Sequence, residues 1–195
     1  MKAVIRKKYG PPETLKLVEV ENPELVDDGV LVRVHATSVN RGDWYTLTGT
    51  PYVARPMVGL LKPKSELLGG DFAGTVEAVG RDVGDLQVGD EVFGGRNGAF
   101  AEYVCVRNGV APKPSNLTFE EAAAAPVAAI TALQGLRDHG HLQPGQKVLV
   151  NGASGGVGTF AVQIAKALGA EVTAVCRTRN VELAQSLGAD HVIDY

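Results

Sequence analysis

The chain has 195 residues, 45% of them hydrophobic and 21% charged, with 24 glycines and a net charge of −3. That is enough for one large domain or one and a half smaller ones, and the glycine content fits an α/β protein with many tight turns. The weakly acidic balance gives no basis for nucleic-acid or membrane-surface binding, and no apolar run reaches the roughly 18 residues needed to span a bilayer.

The chain opens directly on a strand-like segment, without the pattern of a signal peptide. Apolar or alternating runs at Lys2–Lys7, Leu15–Val20 and Val30–His35 predict strands, with Gly10-Pro11-Pro12 and Asp27-Asp28-Gly29 as the turns between them. A second set follows at Phe72–Val79, Glu91–Phe93 and Ala101–Val106, punctuated by Gly80, Gly84, Gly89, Gly94, Gly95 and Gly98. Many short strands joined by glycine turns predict a compact, partly closed β-barrel. At Thr118 the character changes. Thr118 suits a helix N-cap, Glu120 and Glu121 suit the first turn, and an alanine-rich helical stretch runs towards Leu136 with a break at Pro126.

From Lys147 the pattern is α/β. Lys147–Asn151 reads as a buried strand, Gly152–Gly158 as a glycine turn and Val157–Leu168 as a helix with one apolar stripe. Gly169 stands where the helix should end, and Glu171–Cys176 follows as a second strand. A short helix over Asn180–Leu187 and a third strand beginning at His191 complete the visible part. Cys105 and Cys176 are far apart and form no paired motif, which predicts reduced thiols and a cytoplasmic protein.

The turn Gly152-Ala153-Ser154-Gly155-Gly156-Val157-Gly158 lies between a strand and a helix, with a second strand at the spacing of a βαβ unit. In that context it predicts a dinucleotide loop rather than a merely flexible turn. Small residues let the backbone reach a pyrophosphate, and the helix N-terminus offers N–H groups and the positive end of a dipole. Ala153, Ser154, Gly155, Gly156, Val157 and Gly158 are therefore candidate cofactor-binding residues. An NAD site places an acid about 20 residues further on, at the end of the second strand. Here that stretch is Cys176-Arg177-Thr178-Arg179, with no acid. A guanidinium can hold a 2′-phosphate bidentately where a carboxylate would repel it, so Arg177, Thr178 and Arg179 predict NADPH. The bland alternative is that both arginines are solvated turn residues.

The stretch Gly69-Gly70-Asp71-Phe72-Ala73-Gly74-Thr75-Val76-Glu77-Ala78-Val79-Gly80, followed by Val88-Gly89-Asp90-Glu91-Val92, resembles the signature of the medium-chain dehydrogenase/reductase family. The resemblance covers the whole chain. It implies a GroES-like β-barrel catalytic domain over residues 1–120, followed by the first part of a doubly wound parallel Rossmann sheet over 121–195. The alcohol dehydrogenases of that family bind zinc through a Cys and a His-Glu pair. Here Asn40 stands at the Cys position and Gly70-Asp71 at the His-Glu position, and no other Cys or His cluster could serve, so no metal is expected. Asn40 with Asp43, together with the glycine loop, resembles the zinc-free quinone oxidoreductase branch.

That branch implies hydride transfer from NADPH to a quinone or an α,β-unsaturated carbonyl. Negative charge then develops on the acceptor oxygen, and donors aimed at it would lower the barrier. Asn40, Tyr45 and Tyr52 are the candidate catalytic residues, while Thr131 and Tyr195 resemble positions beside the cofactor. Asn40 and Asp43 equally suit the cap of a helical turn, and either tyrosine suits a barrel position with its hydroxyl in water. His35, His139 and His141 fit packing or surface roles. A family sheet has roughly six strands, so on the order of 100 residues of a longer parent are expected beyond Tyr195, with homodimer pairing through them. The alternative class is a non-catalytic NADPH-binding or scaffold protein of the same fold.

Overall fold

The computed structural model describes the backbone of residues 1–195 and every side chain except those of Ala54 and Met57. The chain divides into two compact units, Met1–Pro126 and Val127–Tyr195.

The first unit is mostly β. Strand β1 (Lys2–Ile5) pairs antiparallel with β2 (Lys16–Glu19). The main sheet holds β3 (Val30–Ser38), β4 (Asp71–Val79), β5 (Glu91–Gly95), β6 (Tyr103–Val106) and β7 (Val110–Pro112), ordered β6-β3-β4-β5-β7 and antiparallel throughout. Bridges from Ala3 to Ala101 and from Ile5 to Leu67 tie β1 to the segments flanking this sheet and begin to close it. Alternation along the strands sends Val30 and Val32, Phe72 and Val76, and Val104 and Val106 into one core. The approach of β3 to β4 depends on Gly74, because a Cβ there would lie 2.0 Å from the Arg33 carbonyl oxygen. The short β7 escapes the sequence pattern, since three residues ending in proline carry no period.

Helix α1 (Arg41–Thr48) follows β3, and the short α2 (Arg55–Val58) follows it. Helix α3 (Phe119–Ala123) starts at Thr118 with a complete capping box. The Glu121 N–H donates to Thr118 Oγ1 at 3.2 Å, and the Thr118 N–H donates to Glu121 Oε2 at 2.9 Å. Ala122 and Ala123 then bury against Ala73 of β4, so this helix belongs to the first unit.

Pro126 opens α4 (Pro126–Leu133), where a missing N–H costs nothing. The helix loosens into a π-helical turn over Gln134–His139. Three parallel strands follow: β8 (Lys147–Asn151), β9 (Glu171–Cys176) and β10 (His191–Asp194), ordered β10-β9-β8. Helix α5 (Gly156–Ala167) links β8 to β9, and α6 (Val181–Ser186) links β9 to β10. The stripe of α5 buries Ala161, Val162 and Ala165 against Val172 and Ala174. The expected helix over Asn180–Leu187 is present as α6, with Asn180 and Leu187 at its two ends. Thr178–Asn180 is a separate 3-10 turn, and Asn180 at φ −114°, ψ 6° stands outside the helical region. Cys105 and Cys176 are both free thiols. Among the described residues, no helix is long and apolar enough to cross a membrane.

Candidate functional site

In the second unit, β8 ends at Asn151 and the chain turns at once through Gly152 and Ala153. Their two N–H groups both donate to the Val175 carbonyl at 3.1 Å, which pins the start of the loop onto β9. Gly152 has φ +73°, a region open to glycine and strained for a side chain. Ala153 is fully buried and its N–H is engaged by the Val175 carbonyl, so it anchors the loop. The Gly155 N–H turns back to the Gly152 carbonyl at 2.9 Å, and the first helical bond runs from the Thr159 N–H to the Gly155 carbonyl. Between them, among the described residues, the N–H groups of Gly156, Val157 and Gly158 have no acceptor, being the open donors of the first turn of α5.

Two of those glycines do different work. A Cβ on Gly158 would sit 2.2 Å from the Gly152 carbonyl oxygen, so Gly158 lets the helix close on the loop. A Cβ on Gly152 or Gly156 would meet nothing within 4 Å, so the loop presents bare backbone to open space. Three open donors, a helix dipole and an unobstructed approach fit a pyrophosphate. The loop borders a groove of about 420 Å³ lined also by Thr131, Leu136 and Leu149. Thr131 donates its hydroxyl to the Val127 carbonyl at 2.6 Å, so what it presents outward is acceptor capacity and a methyl group.

At the end of β9, Arg177, Thr178 and Arg179 are all exposed. Among the described residues, the ion pairs of this unit use Arg137, Lys147, Lys166 and His191, and leave out both of these arginines. Asp194 is the acid beside the turn, and it accepts the Thr178 hydroxyl at 3.0 Å. Asn180, at the start of α6, donates its side-chain amide to Ser154 Oγ at 3.0 Å. Tyr195 is 70% exposed.

In the first unit, a polar cluster forms where β3 ends and β4 begins. Register places Ser38 opposite Asp71, and Asp71 is wholly buried. Asp71 Oδ2 accepts from Ser38 Oγ at 2.9 Å and from Asn40 Nδ2 at 2.8 Å, while Asn40 Nδ2 also lies 3.1 Å from Ser38 Oγ. The Asn40 amide thus faces Asp71 and Ser38 through its nitrogen, and neither of these two bonds uses Oδ1. Asn40 also precedes α1, and its N–H donates to Asp43 Oδ2 at 2.7 Å. Capping and the amide cluster thus both hold, the first through the backbone and the second through the side chain. Burial raises the Asp43 carboxyl above its ordinary range; the Asn40 N–H pulls it back, Asp71 pushes it further up and the Gly69 N–H lowers it.

Tyr45 and Tyr52 are 44% and 71% exposed, neither a core barrel residue. The Arg41 guanidinium lies 5.1 Å from the Tyr45 ring centre and that of Arg55 lies 4.6 Å from the Tyr52 ring centre. Sequence reasoning missed Ser38 and Asp71 as partners of Asn40, and Asn180 as a partner of Ser154. Among the described residues, no group of three or more His, Cys, Asp or Glu side chains could hold a metal ion.

Comparison with known proteins agrees with this geometry. The family described as the alcohol dehydrogenase GroES-like domain matches residues 26–115, and the family described as zinc-binding dehydrogenase matches residues 156–195. The mitochondrial NAD(P)H oxidoreductase RTN4IP1 of Mus musculus is 39% identical over 213 aligned residues, spanning 100% of this chain and 54% of its own length. The quinone oxidoreductase structure from Coxiella burnetii superposes with a TM-score of 0.89 at 37% identity, covering 100% of this chain and 62% of that one. The Escherichia coli quinone oxidoreductase, solved in complex with NADPH, gives a TM-score of 0.85 at 29% identity over 100% of this chain and 59% of its own. The chain therefore spans about half the length of the curated relatives it matches. A GroES-like sheet followed by the start of a Rossmann-like parallel sheet, each matched in order, shows that the chain belongs to the medium-chain dehydrogenase/reductase superfamily, in its quinone oxidoreductase-like branch.

Proposed function

We propose that the chain is part of a zinc-independent, NADPH-dependent reductase whose acceptor is a quinone or an α,β-unsaturated carbonyl compound. One observation carries this reading. Open backbone amides at the start of α5 are followed, at the end of β9, by two exposed guanidiniums that, among the described residues, take part in no ion pair.

The nicotinamide, when bound, supplies the hydride chemistry. The chain's own residues bind and orient. Gly156, Val157 and Gly158 donate to the pyrophosphate, and Ser154 and Gly155 shape its cradle. Arg177 and Arg179 take the 2′-phosphate, with Thr178 between them, and Tyr195 and Thr131 border the cofactor, Thr131 on the nicotinamide side. In the first unit, Tyr45 and Tyr52 are the donors for the acceptor oxygen that gains charge, the work a metal does in the zinc-dependent relatives. The part of Asn40 changes. With its nitrogen turned to Asp71, it presents Oδ1 and so receives a hydroxyl or N–H of the ligand rather than polarising a carbonyl. The same amide, standing where zinc enzymes need a thiolate, supports zinc independence. Free thiols support a reducing compartment such as the cytoplasm, although the mouse relative is named mitochondrial. A homodimer is the expected assembly.

Fluorescence titration with NADPH and with NADH, followed by oxidation of NADPH by a simple quinone, tests the proposal. We expect NADPH to bind at least about tenfold tighter, and Arg177→Ala to remove roughly that advantage. Equal affinities would sink the NADPH assignment. Selective binding without turnover would return the non-catalytic reading.

A further inference from the structure

The turn that carries Arg177 and Arg179 is fastened on both sides. On one side the Thr178 hydroxyl donates to Asp194 Oδ1 at the end of β10, at 3.0 Å. On the other, Asn180 Nδ2 donates to Ser154 Oγ, also at 3.0 Å, and so reaches the middle of the glycine loop. Among the described residues this is the one side-chain hydrogen bond between the turn and the loop. The Asn180 N–H meanwhile closes the turn onto the Arg177 carbonyl at 2.8 Å. An asparagine just ahead of a helix ordinarily caps it, yet Asn180 makes no side-chain cap bond to α6. Its amide has been diverted to Ser154.

We infer that Asn180 is a positioning residue for cofactor selection, holding the 2′-phosphate-binding guanidiniums at a fixed spacing from the pyrophosphate-binding amides. The inference rests on the NADPH reading above. A ligand with both a pyrophosphate and a 2′-phosphate must meet both anchors together, and a fixed spacing spares it the cost of ordering the turn. A ligand without the 2′-phosphate uses the loop alone and does not feel that spacing. The direction of the bond matters as well. With one lone pair of Ser154 Oγ engaged by an amide donor, the hydroxyl hydrogen stays available to the anionic ligand. An aspartate at 180 could only accept. It would draw that hydrogen away and set a negative charge beside the turn.

The test is a set of titrations of the intact protein with NADPH, NADH and 2′,5′-ADP, the last probing the 2′-phosphate without the nicotinamide. Asn180→Ala is expected to raise Kd for NADPH and for 2′,5′-ADP roughly tenfold, and for NADH less than about twofold. Asn180→Asp is expected to lose at least as much and to lose more at low salt. Ser154→Ala removes the acceptor without touching the turn, and the double variant should be no weaker than the worse single variant. An unchanged NADPH-to-NADH ratio in Asn180→Ala, with the wild type selective, would overturn this inference alone. So would losses that multiply in the double variant. A wild type with no preference would overturn the cofactor reading and this inference with it.

Discussion

Asp43 shows how one carboxyl serves two neighbours. It caps α1 by accepting the Asn40 N–H, and it does so half-buried and close enough to Asp71 to feel its charge. Burial and Asp71 raise its pKa, so the folded chain holds that proton more tightly than the unfolded chain, whose value is about 3.9. The contribution of Asp43 is therefore unfavourable at neutral pH. It becomes less so as pH falls through the raised folded value, and levels off below the unfolded one. Asp43→Asn keeps an acceptor for the cap and removes the charge. We expect the variant to have the higher Tm at neutral pH, with its advantage shrinking steadily on acidification towards pH about 4. Thermal melts across that range check this, and a difference independent of pH would rule it out. Asn40 and Asp43 could be read from sequence as a cap. The bond from Asn40 to Asp71 could not, because it depends on the register of β3 against β4, which local pattern does not encode.

The βαβ segment of the second unit was the most legible element. A 12-residue helix with one apolar stripe, set between two β-branched runs, announces itself by period alone. The sequence could not separate the glycines of its loop into those that pack and those that face open space, since the residue type is the same. The structure separates them, and two substitutions check the division. Gly158→Ala forces a Cβ onto the Gly152 carbonyl oxygen at 2.2 Å. We expect it to cost about 3 kcal/mol or more of stability, read by urea unfolding without cofactor. Gly156→Ala meets nothing within 4 Å and replaces glycine in the first turn of a helix. It should leave stability unchanged or raise it by up to about 1 kcal/mol, while weakening NADPH binding. If both alanines destabilise the free protein equally, the division is wrong. The missed 3-10 turn has a similar cause. Asn180 suits a cap by type, and only its distant partner Ser154 shows that it does something else.

At the scale of the molecule, the order of barrel strands followed by a βαβ pattern was readable because each unit builds its own core, Val30, Val32 and Phe72 in one, Ala161, Val162 and Val172 in the other. Strand pairing order was not readable, since it is fixed by contacts between residues far apart in sequence. Hydrogen exchange gives a test at this scale. NADPH is expected to slow exchange at Gly156–Gly158 and across Arg177–Asn180, and to leave the buried strands β3 and β4 unchanged. Slowing spread evenly over the chain, or absent from both segments, would contradict the assignment.

The division between loop and turn has a consequence for how such a protein can change over generations. Most of the part proposed to take a pyrophosphate is backbone, and no point mutation removes an N–H except one to proline. Arg177, Thr178 and Arg179 are side chains on the surface, outside both cores. If the proposed roles hold, heritable variation in cofactor choice is thereby channelled into a few exposed positions. On the proposed reading, a substitution there would change what the protein binds without taxing its ability to fold, so a lineage could exchange one cofactor pool for another and keep the scaffold it inherited.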